Sequence, residues 1–496
     1  MTHLESLRRA QKALDETSMT VSNAKFRQRY HFMAPANWIN DPNGCIYHKG
    51  TYHLYYQHNP YAPVWGAMHW GHATSADLIH WQHKPIALAP SELYDNHSGG
   101  GVFSGSLIKN GNGSLYAFYT AATNPGSGFV QTQCMAESND DGQSFTKYSG
   151  NPIIAQAPKG ISADFRDPKV FRHGVYCYMV LGASIGKGAS FGGEGCACLY
   201  RSENLTKWDF CGIIARSEGR YGAMWECPDL FPLNDKWILF FSPMFMGNRK
   251  AVYLVGEMDF DTPHFTVLND GEIDWGCEYY AAQSLLDDKD RRILMAWQNG
   301  WDWMPWWKDF GPTAEEGWCG SMALPRSISL DAENRLLSAP VSELELLRRD
   351  KKTVENIKIG SEKIVVPCAD SVSFELEMEI DLSQTSAQKL HLLLRSNLEK
   401  YTAVIIDFAG KKVCFDRDNS DNGHSQGIRE CDLFLEGKTF RLHLFSDTSS
   451  IEFFTDEGRT CMSNTVYPVH SGQETYIFSA GGYVFVKKIH TWALFL

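Results

Sequence analysis

One pattern constrains the fold of this chain more than any other. Strand-like runs of aromatic and aliphatic residues recur at a nearly fixed interval through its first two thirds. They are Tyr52–Gln57, Leu115–Thr120, Tyr176–Leu181, Trp237–Ser242 and Ile293–Gln298, with starts 63, 61, 61 and 56 residues apart. A second echo follows several of them. Ser75-Ala76-Asp77-Leu78-Ile79-His80-Trp81 resembles Ser202-Glu203-Asn204-Leu205-Thr206-Lys207-Trp208, and Ser138–Phe145 is a looser copy. Fixed periodicity in a β-rich chain indicates a repeat architecture. About sixty residues suit one four-stranded sheet with its loops, and five such sheets around an axis make a five-bladed β-propeller. A string of unrelated β domains would not keep the spacing.

The repeat also aligns chemistry. Asp41, Ser104 and Glu226 each lie 11 residues before a repeated run, and Asp167 lies 9 before one. In a propeller this position is the innermost strand, beside the central channel. Residues distant in sequence would then face one another at one channel mouth, as a convergent site requires. Asp41 itself sits in Trp38-Ile39-Asn40-Asp41-Pro42-Asn43-Gly44. Pro42 biases Asp41 towards extended geometry and Gly44 permits a turn. By composition alone this is a surface turn. The alignment with other acids favours function.

At 496 residues the chain exceeds one typical core. After about residue 335 the period is lost. Val341–Arg348 reads as a short helix, and alternating runs follow at Ser373–Ile380, Tyr401–Asp407, Phe440–Phe445 and Ile451–Phe454. Period-two alternation predicts an antiparallel β-sandwich. The expected organisation is an all-β chain: an N-terminal helical extension (1–29), the propeller (30–335), a linker helix (336–350) and the sandwich (351–496). The sandwich carries no cluster of reactive residues. A supporting role is expected for it, with sugar binding or a homodimer contact as the alternative.

The net charge of −12 argues against nucleic acid as a partner. Thirteen cysteines are scattered from Cys45 to Cys461, with no Cys-x-x-Cys pair, so a zinc site is not expected; no cofactor is expected either. So many thiols in odd number suit a reducing cytoplasm. Residues 1–29, with Leu4, Leu7 and Leu14 near one face, lack the apolar stretch of a signal peptide, and no run reaches the 18 apolar residues of a membrane span.

Three acids stand in unusual short contexts: Asp41, Asp167 in Arg166-Asp167-Pro168, and Glu226 in Trp225-Glu226-Cys227-Pro228. Glycoside cleavage needs two carboxyl groups in different protonation states. Glu226, flanked by Trp225 and Cys227, is the better proton donor, because poorly solvating neighbours favour the neutral acid. Asp41 is the better nucleophile, with turn amides of Asn and Gly to stabilise its charge. Arg166 adjoins Asp167, but neighbours on a strand point to opposite faces, so the two need not pair. For a single acid a structural role is the default. For three at matched positions it is much weaker.

These three segments resemble the signature boxes of glycoside hydrolase family 32, the invertases and related β-fructofuranosidases. Further matches are Gln57-His58-Asn59-Pro60, Trp65-Gly66, His69–His72, Phe103-Ser104-Gly105-Ser106, Leu324-Pro325-Arg326 and Asp447–Phe454. The N-terminal helix and Ala34–Asn40 are most similar to the bacterial intracellular sucrose-6-phosphate hydrolases. The resemblance implies retaining cleavage of sucrose or sucrose 6-phosphate. Asp41 would attack the fructose C2, Glu226 would serve as acid and then base, and Asp167 would hold fructose hydroxyls. It also implies a substrate wall of Trp38, Asn40, Gln57, Trp65, Phe103, Ser104 and Arg166, with Tyr279 as a further contact and no metal. Fructo-oligosaccharide hydrolysis and fructosyl transfer are the alternatives. A catalytically silent sugar-binding propeller would lack one of the three acids, and all are present. One departure stands out: Glu278 occupies a position where the family usually has Asp. It is expected to reshape the leaving-group side or to fill space.

Overall fold

A computed structural model describes the chain apart from residues 1, 22, 98, 112, 125, 127, 187, 188, 190, 191, 308–310, 369, 371, 421–426 and 470–473. Among the described residues, five mainly antiparallel sheets of four or five strands form the first part. The repeated runs predicted from sequence lie in the second strand of each sheet. The first strands are Asn37–His48, Gly101–Lys109, Ile161–His173, Met224–Leu233 and Tyr280–Leu286. Each packs against the next, and the fifth packs against the first, so they ring a central channel. Trp318–Cys319, which lies in sequence between strands of the fifth sheet, pairs in parallel with Asn37–Trp38 and ties that sheet's chain to the first.

All five innermost strands carry the same irregularity. Two residues oppose one across the pair at Asn40–Asp41, Phe103–Ser104, Asp167–Pro168, Cys227–Pro228 and Ala281–Ala282. Such a β-bulge twists the strand and re-aims its side chains. The four polar residues matched by spacing therefore lie on equivalent strands, at or beside the bulge, but not in a single register. Asp41 and Ser104 are second in the bulge, Asp167 is first, and Glu226 precedes it.

The second echo has its own cause. Trp81 Nε1 donates to the Leu78 carbonyl at 2.7 Å, and Trp208 Nε1 donates to that of Leu205 at 2.8 Å. Both leucines are left-handed, with φ of 68° and 67°. The indole bond holds a turn that a non-glycine residue resists.

The N-terminal helix is shorter than expected and spans His3–Val21. Ala10, Leu14 and Val21 pack on Ala36 and Ile86, while Leu4 is exposed. Gln11 Oε1 accepts the Ile86 amide at 3.0 Å, so the helix covers the outer strand of the first sheet. No described helix is long and apolar enough to cross a membrane. The short helix expected at Val341–Arg348 is present, but the linker over 336–350 is helical only there. Leu336–Pro340 completes the fifth sheet, Ser342–Leu347 is a 3-10 turn, and Arg348 starts a sandwich strand. The sandwich joins two six-stranded sheets over a core that includes Phe374, Leu376, Leu444 and Phe453.

A buried charge network joins propeller to sandwich. Asp447 accepts the backbone amides of Arg29, Tyr30 and His31. His31 Nδ1 lies 2.8 Å from Asp447 Oδ2 and its Nε2 lies 3.0 Å from Glu452 Oε1. Burial opposes a charge on this imidazole. Hydrogen bonds and attraction from the two carboxylates outweigh it and raise the pKa to about 9 from 6.5. The folded value exceeds the unfolded one, so this clamp acts fully below about pH 6.5 and is lost as pH rises through about 9. It contributes on the order of 3 kcal/mol. The melting temperature should therefore fall between pH 7 and pH 9.5, and His31→Gln should melt lower with a flatter slope. An unchanged slope in that variant would refute the charged clamp.

Candidate active site

Asp41, Asp167 and Glu226 line one cavity of about 560 Å³. The expected turn around Asp41 is instead a continuous strand, and its bulge turns the carboxylate inward. Gly44 is left-handed at φ 52°, and a Cβ there would stand 2.3 Å from Leu107 Cδ1, so the strand can press against the neighbouring blade only without a side chain. Side chains hold Asp41, not the turn amides foreseen. Ser104 Oγ donates to Oδ2 at 2.6 Å, Asn40 Nδ2 to Oδ1 at 3.1 Å and Cys227 Sγ to Oδ2 at 3.4 Å. Burial and the charge of Glu226 still push its pKa up to about 6, against those three donors.

Asp167 adopts φ 65°, which its place in the bulge requires. Its amide donates to Thr120 Oγ1 at 2.9 Å, and its Oδ2 accepts the Cys227 amide at 2.8 Å. Burial raises its pKa, as do the charges of Glu226 and Asp41, while Arg166 opposes the shift. The Cys227 thiol lies between Asp41 and Asp167, 3.4 and 3.5 Å from their carboxylates. Burial and the surrounding acids push its pKa well up, so it stays a protonated donor and not a nucleophile.

The bulge also overturns the alternation argument for Arg166. Arg166 and Asp167 both reach the cavity, and Arg166 pairs with Glu226: its Nε and Nη2 lie 3.0 and 2.9 Å from Oε1. The Tyr280 hydroxyl donates to the other oxygen at 2.5 Å. Trp225, expected to shield Glu226, turns away and stacks on Phe241 at 3.8 Å. The surroundings of Glu226 are thus Arg166 and Tyr280.

Asn40, Gln57, Trp65, Phe103, Ser104 and Arg166 line the cavity as expected. Trp38 does not. It is fully buried behind the wall, and its Nε1 donates to Asn40 Oδ1 at 2.7 Å, fixing the amide that reaches Asp41. Tyr279 is also outside, buried with the Arg326 guanidinium 4.1 Å from its ring centre. Tyr280, one residue on, is buried too and reaches the site only through its bond to Glu226. Glu278 is not at the leaving-group side. Arg417 of the sandwich grips both its oxygens at 2.8 Å, and the Thr465 amide adds a third bond. The longer acid spans the domain boundary.

Sequence reasoning missed the rim. Trp301, Asp302, Trp303 and Trp307 form one wall, with Phe129, Gln131, Asp164 and Met244 opposite or beside it. The run Trp301-Asp302-Trp303-Met304-Pro305-Trp306-Trp307 could have been noticed: four indoles in seven residues with no strand alternation. Among the described residues, the group spaced to hold a metal is Glu375, Glu377 and His443 in the sandwich. Arg348 already occupies it, with Nη2 2.6 Å from Glu375 Oε1 and 2.5 Å from Glu377 Oε1.

Two deep carboxylates, a third acid gripped by arginine and tyrosine, and an aromatic rim are the equipment of a glycosidase. Comparison with known proteins agrees. Residues 31–340 match the glycosyl hydrolases family 32 N-terminal domain, and residues 343–493 match the family's C-terminal domain. A sucrose-6-phosphate hydrolase of Zymomonas mobilis is 34% identical over 99% of this chain and 96% of its own. One from Escherichia coli is 34% identical over 98% and 99%. A solved Bombyx mori GH32 β-fructofuranosidase aligns with a TM-score of 0.82 at 30% identity, covering 98% of this chain and 97% of that one. A mutant of it has been solved in complex with sucrose. The chain belongs to glycosyl hydrolase family 32.

Proposed function

We propose that this glycoside hydrolase cleaves the β-fructofuranoside bond of sucrose or sucrose 6-phosphate with retention of configuration. The observation that carries this reading is the meeting of three carboxylates in one cavity, each with different partners. Asp41, held by Ser104 and Asn40, attacks C2 of the fructosyl unit as the C2–O bond to the glucosyl group breaks. Glu226 gives its proton to the departing oxygen. The same carboxylate then takes a proton from water, whose oxygen attacks C2 and releases Asp41. Asp167, fixed by the Cys227 amide, binds fructose hydroxyls. Arg166 and Tyr280 hold the acid in place between the two steps. Trp65 and Phe103 give the sugar an apolar wall, their rings 6.1 Å apart.

A reducing cytoplasm is the compartment we assign, where thiols as close as Cys196 and Cys198 stay free. The test of mechanism is the stereochemistry of the first product. NMR immediately after mixing with sucrose should show β-fructofuranose before mutarotation. Appearance of the α anomer first would mean inversion and would remove Asp41 as nucleophile.

A further inference from the structure

Glu226 must reach the glycosidic oxygen, so the leaving sugar lies on its side of the cavity. Two further carboxylates stand there. Asp164 Oδ1 is 3.6 Å from Arg166 Nη1, the same guanidinium that holds Glu226. Asp302 is exposed on the tryptophan loop, between Trp301 and Trp303. The ring of Trp303 lies 6.4 Å from that of Tyr280, the other partner of Glu226. Trp301 and Trp303 stack on each other at 5.3 Å and 24° and line the cavity, giving an apolar border of the kind that suits a neutral pyranose. Arg166 is the one Lys or Arg among the described residues lining the cavity, and two of its N–H groups already go to Glu226.

A sugar phosphate brings about −1.5 to −2 charges at neutral pH and needs donors or cations to replace its water. This side of the cavity offers it two carboxylates and an indole border, in a protein of net charge −12. We propose that Asp164 and Asp302 are specificity-determining residues that select an uncharged leaving sugar, so that sucrose is preferred to sucrose 6-phosphate. The proposal rests on Glu226 as proton donor, because that assignment places the leaving group.

The test compares kcat/KM on sucrose and on sucrose 6-phosphate for the wild type, Asp302→Lys and Asp164→Asn. The wild type should favour sucrose by about tenfold or more, and 0.5 M salt should narrow the gap, because it screens charges at an open rim. Asp302→Lys should shift the ratio towards the phosphorylated sugar by about tenfold, and Asp164→Asn by less. A wild type that prefers sucrose 6-phosphate would overturn the proposal while leaving the hydrolase reading intact. So would a ratio that neither variant nor salt moves. A wild type that cleaves neither sugar would remove the proposed action on sucrose, and this proposal with it.

Discussion

Replacing Asp41 with Asn should lower kcat on sucrose by on the order of 10⁴-fold or more, because it removes the nucleophile of a covalent mechanism. Asn keeps the shape and can still meet Ser104 and Asn40, so the loss should come from chemistry and not from collapse of the site. Stability gives an independent check. Burial and Glu226 raise the folded pKa of Asp41 to about 6 from 3.8. A raised carboxyl binds its proton more tightly in the folded state, so its ionisation costs stability as pH rises from about 4 to about 6, and the full cost persists above that. The cost is on the order of 3 kcal/mol at most. Asp41→Asn should therefore melt no lower than wild type at pH 7.5, and melting at a higher temperature is the expected result. The same shift puts the acid limb of wild-type kcat/KM near pH 6. Wild-type-like turnover in the variant would exclude Asp41 as nucleophile. A variant both inactive and far less stable would make Asp41 a structural residue.

What the sequence could and could not convey follows from how far apart the relevant partners are. The propeller was legible because each blade places its most apolar strand second, so five similar runs recur at one interval. The convergence of Asp41, Ser104, Asp167 and Glu226 followed from that period. The bulges were not legible, because two residues against one is a property of a pair of strands and not of either alone. Missing them led to the wrong expectation that Arg166 and Asp167 face apart. It also hid that Tyr280 and not Tyr279 meets Glu226, since a one-residue slip exchanges the faces of a strand. Glu278 was hidden for a different reason. Its partner Arg417 is 139 residues away in the other domain, and a single acid carries no mark of such a contact. The segment Asp447–Phe454 stood out as a family resemblance, and its end as a strand, but not as a clamp. Its physical content is the clamp on His31 through Asp447 and Glu452.

Glu226→Gln should behave differently from Asp41→Asn, and the difference separates their roles. Glutamine can still accept from Arg166 and meet Tyr280, but it cannot give a proton to the leaving oxygen. On sucrose, whose departing alkoxide needs that proton, kcat should fall by about 10²–10⁴-fold. On p-nitrophenyl β-fructofuranoside the leaving phenolate departs unaided, so the first step should proceed nearly as in wild type. The second step still lacks its base, so the variant should release a burst of nitrophenol close to one equivalent and then stall on the fructosyl–Asp41 ester. Azide, a nucleophile that needs no base, should restore turnover and yield a fructosyl azide. Asp41→Asn should show neither burst nor rescue, because it cannot form the ester. If Glu226→Gln loses activity equally on both substrates, with no burst and no azide product, then Glu226 is not the acid–base. Tyr280 and Arg166, the groups bonded to it, would then be the next residues to substitute.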